Sequence, residues 1–229
     1  MGFLSSSRFA EYLACAHTTL TAEGDNRVLM HKIVKDMLKE LKKGKNHPQP
    51  RLNVTKQVGT FDDVSGLETI ADLFRFRQIT LANQLIAKMT KLAKEKISAY
   101  DISMYHTSDL IQDLALAYGE RRMIDACLVF LSELSAESKK TMETVFRVFA
   151  IDCVKRDLGM YISNGAISQK GAANLLIAQN SLIKEMAFKI DDLTKLLNVP
   201  EDVLYTPIAS DYVDYYSRPN FGEVVGAKL

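Results

Sequence analysis

The chain has 229 residues, 47% of them apolar, and a formal net charge of +1 at pH 7; it is long enough to bury a core and has no overall field to draw in nucleic acid or an anionic membrane. Its three cysteines, Cys15, Cys127 and Cys153, stand at wide spacings with no Cys-x-x-Cys pair, which suggests neither a disulfide framework nor a zinc site and fits a reducing or neutral compartment. No apolar run approaches a membrane span, and Met1-Gly2-Phe3-Leu4 lacks the basic and long apolar regions of a secretory signal.

Taken in order, residues 5–17 predict a short helix with Phe9, Leu13 and Ala16 on one side, ending in Thr18-Thr19. Thr21-Ala22-Glu23-Gly24-Asp25-Asn26 follows, and apolar residues then return at Leu29, Ile33, Met37 and Leu41 along one face of a second helix. Glu23 is therefore expected at a helix mouth, near free backbone N–H groups and the positive end of the helix dipole. Gly24 has no side chain to keep a ligand off the backbone. A base would suit that place, and so would a plainer arrangement in which Asp25 or Asn26 caps the helix and Glu23 is one more first-turn acid.

Lys42 to Arg51 contains Gly44, Pro48, Pro50 and several cations, a composition that stops a helix and reads as a solvated connection. From Leu67 to Asn198 glycine and proline are scarce, and four long amphipathic helices are expected. The first takes in Leu67, Ile70, Phe74, Leu81, Leu85 and Leu92, and the second runs from about Ser108 through Ile111, Leu114, Ile124 and Leu131. The third includes Met142, Phe146, Ile151, Val154 and Leu158, and the fourth runs from about Ser168 through Leu175, Leu182, Ile190 and Leu197. Short joins between long helices predict an all-α, up-and-down bundle. Tyr212, Tyr215, Tyr216 and Phe221 around Pro219 read as an aromatic-rich tail packed on that bundle. His17, His31, His47 and His106 show no metal-ligand spacing, no metal site is expected, and His31 falls on the polar side of its helix, where solvation is the expectation.

Thr-x-Glu-Gly-Asp-Asn ahead of an apolar helix resembles the active-site segment of the acyl-CoA oxidases, flavin-dependent peroxisomal relatives of the acyl-CoA dehydrogenases. Gly2-Phe3 stand where that family has a Gly-aromatic pair before the base. Ala22 replaces its usual aromatic residue, and Arg27 replaces the small residue common after Asp-Asn. Phe146 to Asp152, then Asp157-Leu158-Gly159, Tyr161 and Gly165-Ala166-Ile167-Ser168 resemble a pattern in the family's extra C-terminal domain. Physically, Gly159 is expected to allow close helix approach, Asn164-Gly165 to end one helix and Ser168 to cap the next. The ending Ala227-Lys228-Leu229 is a close variant of the Ser-Lys-Leu address read by a peroxisomal import receptor.

The resemblance implies a division into residues 1–43, the end of the catalytic helical domain; 44–56, a linker; 57–204, the C-terminal helical domain; and 205–229, a tail with the targeting signal. It implies Glu23 as the base that removes the proton α to a thioester carbonyl, Gly24 beside the substrate, and Asp25 and Asn26 on the FAD side. It further implies acyl-CoA and O2 as substrates, trans-2-enoyl-CoA and H2O2 as products, a peroxisomal location and a homodimer. The family's other domains would precede Met1, so the chain is expected to be a piece of a full enzyme or else a shortened, non-catalytic paralogue acting as a helical binding or assembly subunit.

Overall fold

The computed structural model describes residues 7–19, 22, 24–43, 66–200, 206–209 and 211–217. Every regular element among them is helical, as the patterning requires. The chain separates into two compact units, one from residues 27–190 and the other from residues 1–26 and 191–229.

The larger unit is built on two long helices, α3 (Leu67–Lys94) and α5 (Ser108–Glu133), which pack extensively on one another. The first half of α3 supplies Leu67, Ile70, Leu73 and Phe74 to one core, where they meet Ile124 and Leu131 from the end of α5. Helices α6 (Ala136–Arg156), α7 (Leu158–Ser163) and α8 (Gln169–Ala187) close that core with Ile151, Val154, Tyr161 and Leu175. A second core joins Leu81 and Leu85 of α3, Ile111 and Leu114 of α5, and Val34 and Met37 of α2 (Asn26–Lys42). The pairing of early α3 with late α5, and of late α3 with early α5, makes the two helices antiparallel. Each of these fully buried aliphatic side chains contributes about 1.5–3 kcal/mol against exposure.

Helix starts and stops follow local chemistry. Ser98, Ser135 and Ser168 precede helices, and their hydroxyls accept from the backbone N–H groups of Asp101, Ser138 and Gly171 at 3.0, 3.4 and 3.0 Å, each satisfying a donor that the helix cannot. Helix α7 ends as expected at Asn164-Gly165: Gly165 takes φ 71, its N–H reaches the Ile162 carbonyl at 3.0 Å, and the Ala166 N–H reaches that of Tyr161 at 2.8 Å. Those two bonds form a Schellman motif, which a glycine in the left-handed region completes without steric cost. Between α3 and α5 lie a short turn of helix, α4 (Ala99–Asp101), and a wider π turn, Ile102–His106, closed by the Thr107 hydroxyl donating to the Ile102 carbonyl at 2.7 Å.

Three expectations need correction. The inward face of α2 is carried by Val34 and Met37, with Met30 and Leu38 packed beside them, while Ile33 is 41% exposed; the buried stripe is rotated by about one residue, some 100° on a helix. The fourth long helix is not continuous, since α8 stops at Ala187 and α9 (Ile190–Leu196) starts anew. No residue from Ile183 to Leu196 is buried, so among the described residues the apolar periodicity there meets no partner surface that would hold one straight helix. Gly159 is exposed and a Cβ on it would meet nothing within 4 Å, so no close helix approach depends on it.

In the smaller unit, α1 (Phe9–Thr18) carries the Tyr12 hydroxyl, which shares a hydrogen bond of 2.5 Å with that of Thr206. A 3-10 turn, Pro207–Ala209, and α10 (Tyr212–Ser217) follow, with the Tyr215 and Tyr216 rings edge to face at 5.4 Å. The expected linker at 44–56 lies outside the described residues, as do Gly2-Phe3, Pro219 and Phe221.

Candidate functional site

The turn ahead of α2 is described in part. Gly24 takes φ 110, a value that L side chains rarely adopt, so a second reason for glycine stands beside that of ligand approach. Asp25 directly precedes the first helical residue, Asn26, and Gly24, Asp25 and Asn26 are all exposed. Glu23 lies outside the described residues, as do the tail positions Ala227, Lys228 and Leu229. Of the sequence-predicted site residues, the structure therefore groups Gly24, Asp25 and Asn26 in one open turn at the start of α2.

That turn suits one edge of a flavin nucleotide. Gly24 leaves the backbone bare at its positive φ, and the Asn26 side chain offers both donor and acceptor. Such a pair can meet hydroxyl oxygens from one side. Neither of the two clefts described below is lined by Gly24, Asp25 or Asn26.

The larger cleft, of about 1070 Å³, opens along α2, between it and the Ala99–Ser108 stretch. His31 lies within it, half-buried rather than freely solvated as the helical pattern suggested. Its Nδ1 lies 3.3 Å from the Ser103 hydroxyl and its Nε2 3.3 Å from that of Ser108, so one ring nitrogen donates and the other accepts when the imidazole is neutral. The π turn is what brings Ser103 to the ring. A smaller cleft of about 430 Å³ lies between α2 and α3, against Leu38, Ala82, Ile86 and Met89.

A buried charge network was invisible to the apolar patterning. Arg77 of α3, 3% exposed, donates to Glu120 of α5 at 2.5 Å and pairs with Asp157 at 2.7 Å. Glu120 also accepts from Arg156 at 2.6 Å, and the same Arg156 nitrogen lies 3.0 Å from the Cys153 sulfur. Close by in sequence, Arg75 donates to Asp72 at 2.7 Å and to Asp125 at 2.6 Å, while Arg121 donates to Asp125 and to Gln78 Oε1, both at 2.6 Å. Burial outweighs the opposing Arg77 charge and holds the Tyr161 hydroxyl well above its ordinary pKa. Burial, then the neighbouring Glu120 carboxylate, also pushes the Cys153 thiol up. The Tyr161 hydroxyl and the Cys153 thiol are thus neutral, and the ion pairs from Arg77 through Glu120 to Arg156 tie α3, α5 and α6 together. The signal that could have found Arg77 is its place four residues before Leu81 and seven after Ile70, on the apolar face of α3.

Among the described residues no group of His, Cys, Asp and Glu is placed to hold a metal ion, and no helix is long and apolar enough to cross a membrane.

Comparison with known proteins adds the following. The family model for acyl-CoA oxidase matches residues 66–211. Acyl-CoA oxidase 1 from Yarrowia lipolytica superposes with a TM-score of 0.78 at 16% identity, over 97% of this chain and 35% of that one. Acyl-CoA oxidase 1 of Arabidopsis thaliana gives a TM-score of 0.63 at 18% identity, over 81% of this chain and 30% of its own. The chain thus spans about a third of the length of the oxidases whose fold it shares. A search of curated proteins gives no match.

Proposed function

The chain belongs to the acyl-CoA oxidase family, an oxidoreductase family, and from that membership we propose that it forms part of a peroxisomal, FAD-dependent enzyme converting acyl-CoA to trans-2-enoyl-CoA, with Glu23 as the base. What supports the reading is the agreement of two separate parts of the chain. The family match begins at residue 66, whereas Thr21-Ala22-Glu23-Gly24-Asp25-Asn26 lies ahead of it and resembles the same family by its own residues.

In this reading Glu23 takes the proton α to the thioester carbonyl. A carboxylate does so well only when its proton affinity is raised towards the working pH, and the apolar surroundings of an acyl chain would raise it by desolvation. The Glu23 backbone N–H donates to the thioester oxygen and stabilises the enolate-like charge as it develops. Gly24 borders the substrate, and its bare backbone lets the thioester approach. Asp25 and Asn26 hold the cofactor side of the turn. Flavin, when bound, supplies the acceptor for the β-hydrogen and its electron pair, and O2 is the final oxidant, giving H2O2. The last three residues, Ala227-Lys228-Leu229, carry the address for the peroxisomal import receptor, and the working unit is a homodimer.

The test is a chimera in which this chain replaces the matching third of the Yarrowia lipolytica oxidase, assayed for H2O2 from acyl-CoA. Glu23→Gln keeps the size of the side chain but removes the proton acceptor, so acyl-CoA still binds while turnover falls by about 10²–10⁴-fold. Asp25→Asn lowers stability or flavin retention and leaves turnover per bound flavin nearly intact. An active Glu23→Gln chimera with a dead Asp25→Asn chimera would show that the base is misassigned.

A further inference from the structure

The cleft along α2 holds three side chains in a row that no step of the proposed reaction uses. Ser103 Oγ lies 3.3 Å from His31 Nδ1, and Ser108 Oγ lies 3.3 Å from His31 Nε2. All three line the cleft and are half-buried, so the ring is held at both nitrogens and is still open to a small molecule. The two serines are not equivalent. Ser103 belongs to the π turn, whereas Ser108 is the first residue of α5. The N–H groups of the next two residues, Asp109 and Leu110, have no acceptor inside the helix; the first to reach back is that of Ile111, to the Thr107 carbonyl at 2.9 Å. The Thr107 side chain does not cap this end, because its hydroxyl donates to the Ile102 carbonyl instead. A hydroxyl on one imidazole nitrogen, an orienting group on the other, and N–H donors next to that hydroxyl in the chain are the parts that acyl transfer needs.

We propose that Ser108 and His31 form a nucleophile and base pair that hydrolyses short-chain carboxylic esters, with Ser103 as the positioning residue. His31 carries its proton on Nδ1 and donates it to Ser103 Oγ, which leaves the Nε2 lone pair facing the Ser108 hydroxyl. Separations of 3.3 Å fall in the looser range of such pairs before substrate binds. As Ser108 Oγ attacks the ester carbonyl, its proton passes to Nε2. The bond from the carbonyl carbon to the alcohol oxygen then breaks, the leaving oxygen takes the proton from Nε2, and the acyl group stays on Ser108 Oγ. Water attacks that acyl group next, losing a proton to Nε2, and Ser108 Oγ recovers the proton as the acid leaves. One ester and one water thus give one acid and one alcohol, with no change of oxidation state. The Asp109 and Leu110 N–H groups offer donors to the oxyanion that develops in each half. The acyl group is limited to a short one because Val34, Leu85 and Ile111 are closed to solvent beneath the cleft. Tyr100 and Met104, 63% and 45% exposed, supply its apolar contacts. Gly24, Asp25 and Asn26 do not line the cleft and the pair needs no flavin, so the inference stands apart from the assignment of the base.

Incubation of the full chain with p-nitrophenyl acetate tests the pair without flavin or acyl-CoA. A burst of about one nitrophenolate per chain is expected, then slower turnover, with the acetyl group of acid-quenched protein mapped to the Ser108 peptide. Ser108→Ala and His31→Gln should each lower the burst rate by about 10²-fold or more while the helical spectrum and urea midpoint stay near those of wild type. Ser103→Ala should lower it about fivefold, and Ser103→Thr, which keeps the hydroxyl, should restore it. If His31→Gln loses helical signal, Ser108→Ala decides the case together with diisopropyl fluorophosphate, which phosphorylates an activated serine hydroxyl and releases fluoride. Acetyl groups on lysines alone, full activity in Ser108→Ala, or a wild-type Ser108 inert to both reagents would each overturn the assignment and leave His31 a structural tie between α2 and α5.

Discussion

Glu120→Leu is the most informative single change in the larger unit. The wild-type carboxylate, 8% exposed as a side chain, receives Arg77 on one oxygen and Arg156 on the other. Without it, Arg156 can turn to water, since its side chain is 51% exposed, but Arg77 is only 4% exposed and cannot. Asp157, 2.7 Å away and 35% exposed, still faces the Arg77 guanidinium, which softens the loss. Orphaning a buried charge costs about 3–5 kcal/mol, and the surviving partner places this case near 3. For a chain of this size that lowers the melting midpoint by roughly 6–12 °C. Arg77→Leu should cost a similar amount, because it leaves the Glu120 carboxylate with a half-exposed partner. The double change Arg77→Leu and Glu120→Leu removes both buried charges and should come back to within about 1 kcal/mol of wild type. Urea unfolding followed by circular dichroism, run as a double-mutant cycle, measures all three. Strict additivity, or a Glu120→Leu cost under about 1 kcal/mol as for a surface pair, would show that the network does not act as a buried unit.

The cysteines should alkylate in order of access: Cys15, exposed, first, then Cys127, with Cys153 protected until the chain unfolds, since burial pushes both later thiols up and away from the reactive thiolate; peptide mapping after timed iodoacetamide treatment reads the order, and early loss of the Cys153 peptide would contradict the packing. Burial, then the Asp157 charge, raises Asp113 above its ordinary value of 3.8. An acid with a raised folded-state pKa costs stability once ionised, so Asp113→Asn should raise the urea midpoint at neutral pH and leave it unchanged below pH 3.8; an equal gain at both pH values would refute the cause. Fused behind a fluorescent protein, the last residues should direct it to peroxisomes and lose that ability when Leu229 is removed; diffuse fluorescence with the intact tail would end the targeting proposal.

The helices were legible where apolar spacing and punctuation agree. Leu67 to Leu85 marks α3, Ser168 marks the start of α8 and Asn164-Gly165 marks the end of α7. The break after Ala187 carries no glycine or proline; it arises because packing ends at Leu182, a tertiary fact with no local signature. Charged side chains inside helices read as solvent faces, and that assumption hid Arg77 and Glu120. The same assumption sent His31 to solvent, where Ser103 of the π turn and Ser108 at the start of α5, both at its ring, show otherwise. Of the candidate site, the reason for Gly24 became clearer with its φ of 110, whereas the role of Glu23 rests on its motif.

The three serines that open α4, α6 and α8 bear on how the chain acquires its shape during synthesis. Each start signal is complete within four residues, from Ser98 to Asp101, Ser135 to Ser138 and Ser168 to Gly171. A helix boundary set by so short a segment can form as soon as those residues leave the ribosome, before any packing partner exists. Each following helix then grows from an already defined end, and because only Leu134 and Ser135 separate α5 from α6, that hairpin can close while α8 is still being made. The cores, which need α3 beside α5 and then α6 beside α8, would therefore assemble in the order of translation, from pieces whose limits are already set.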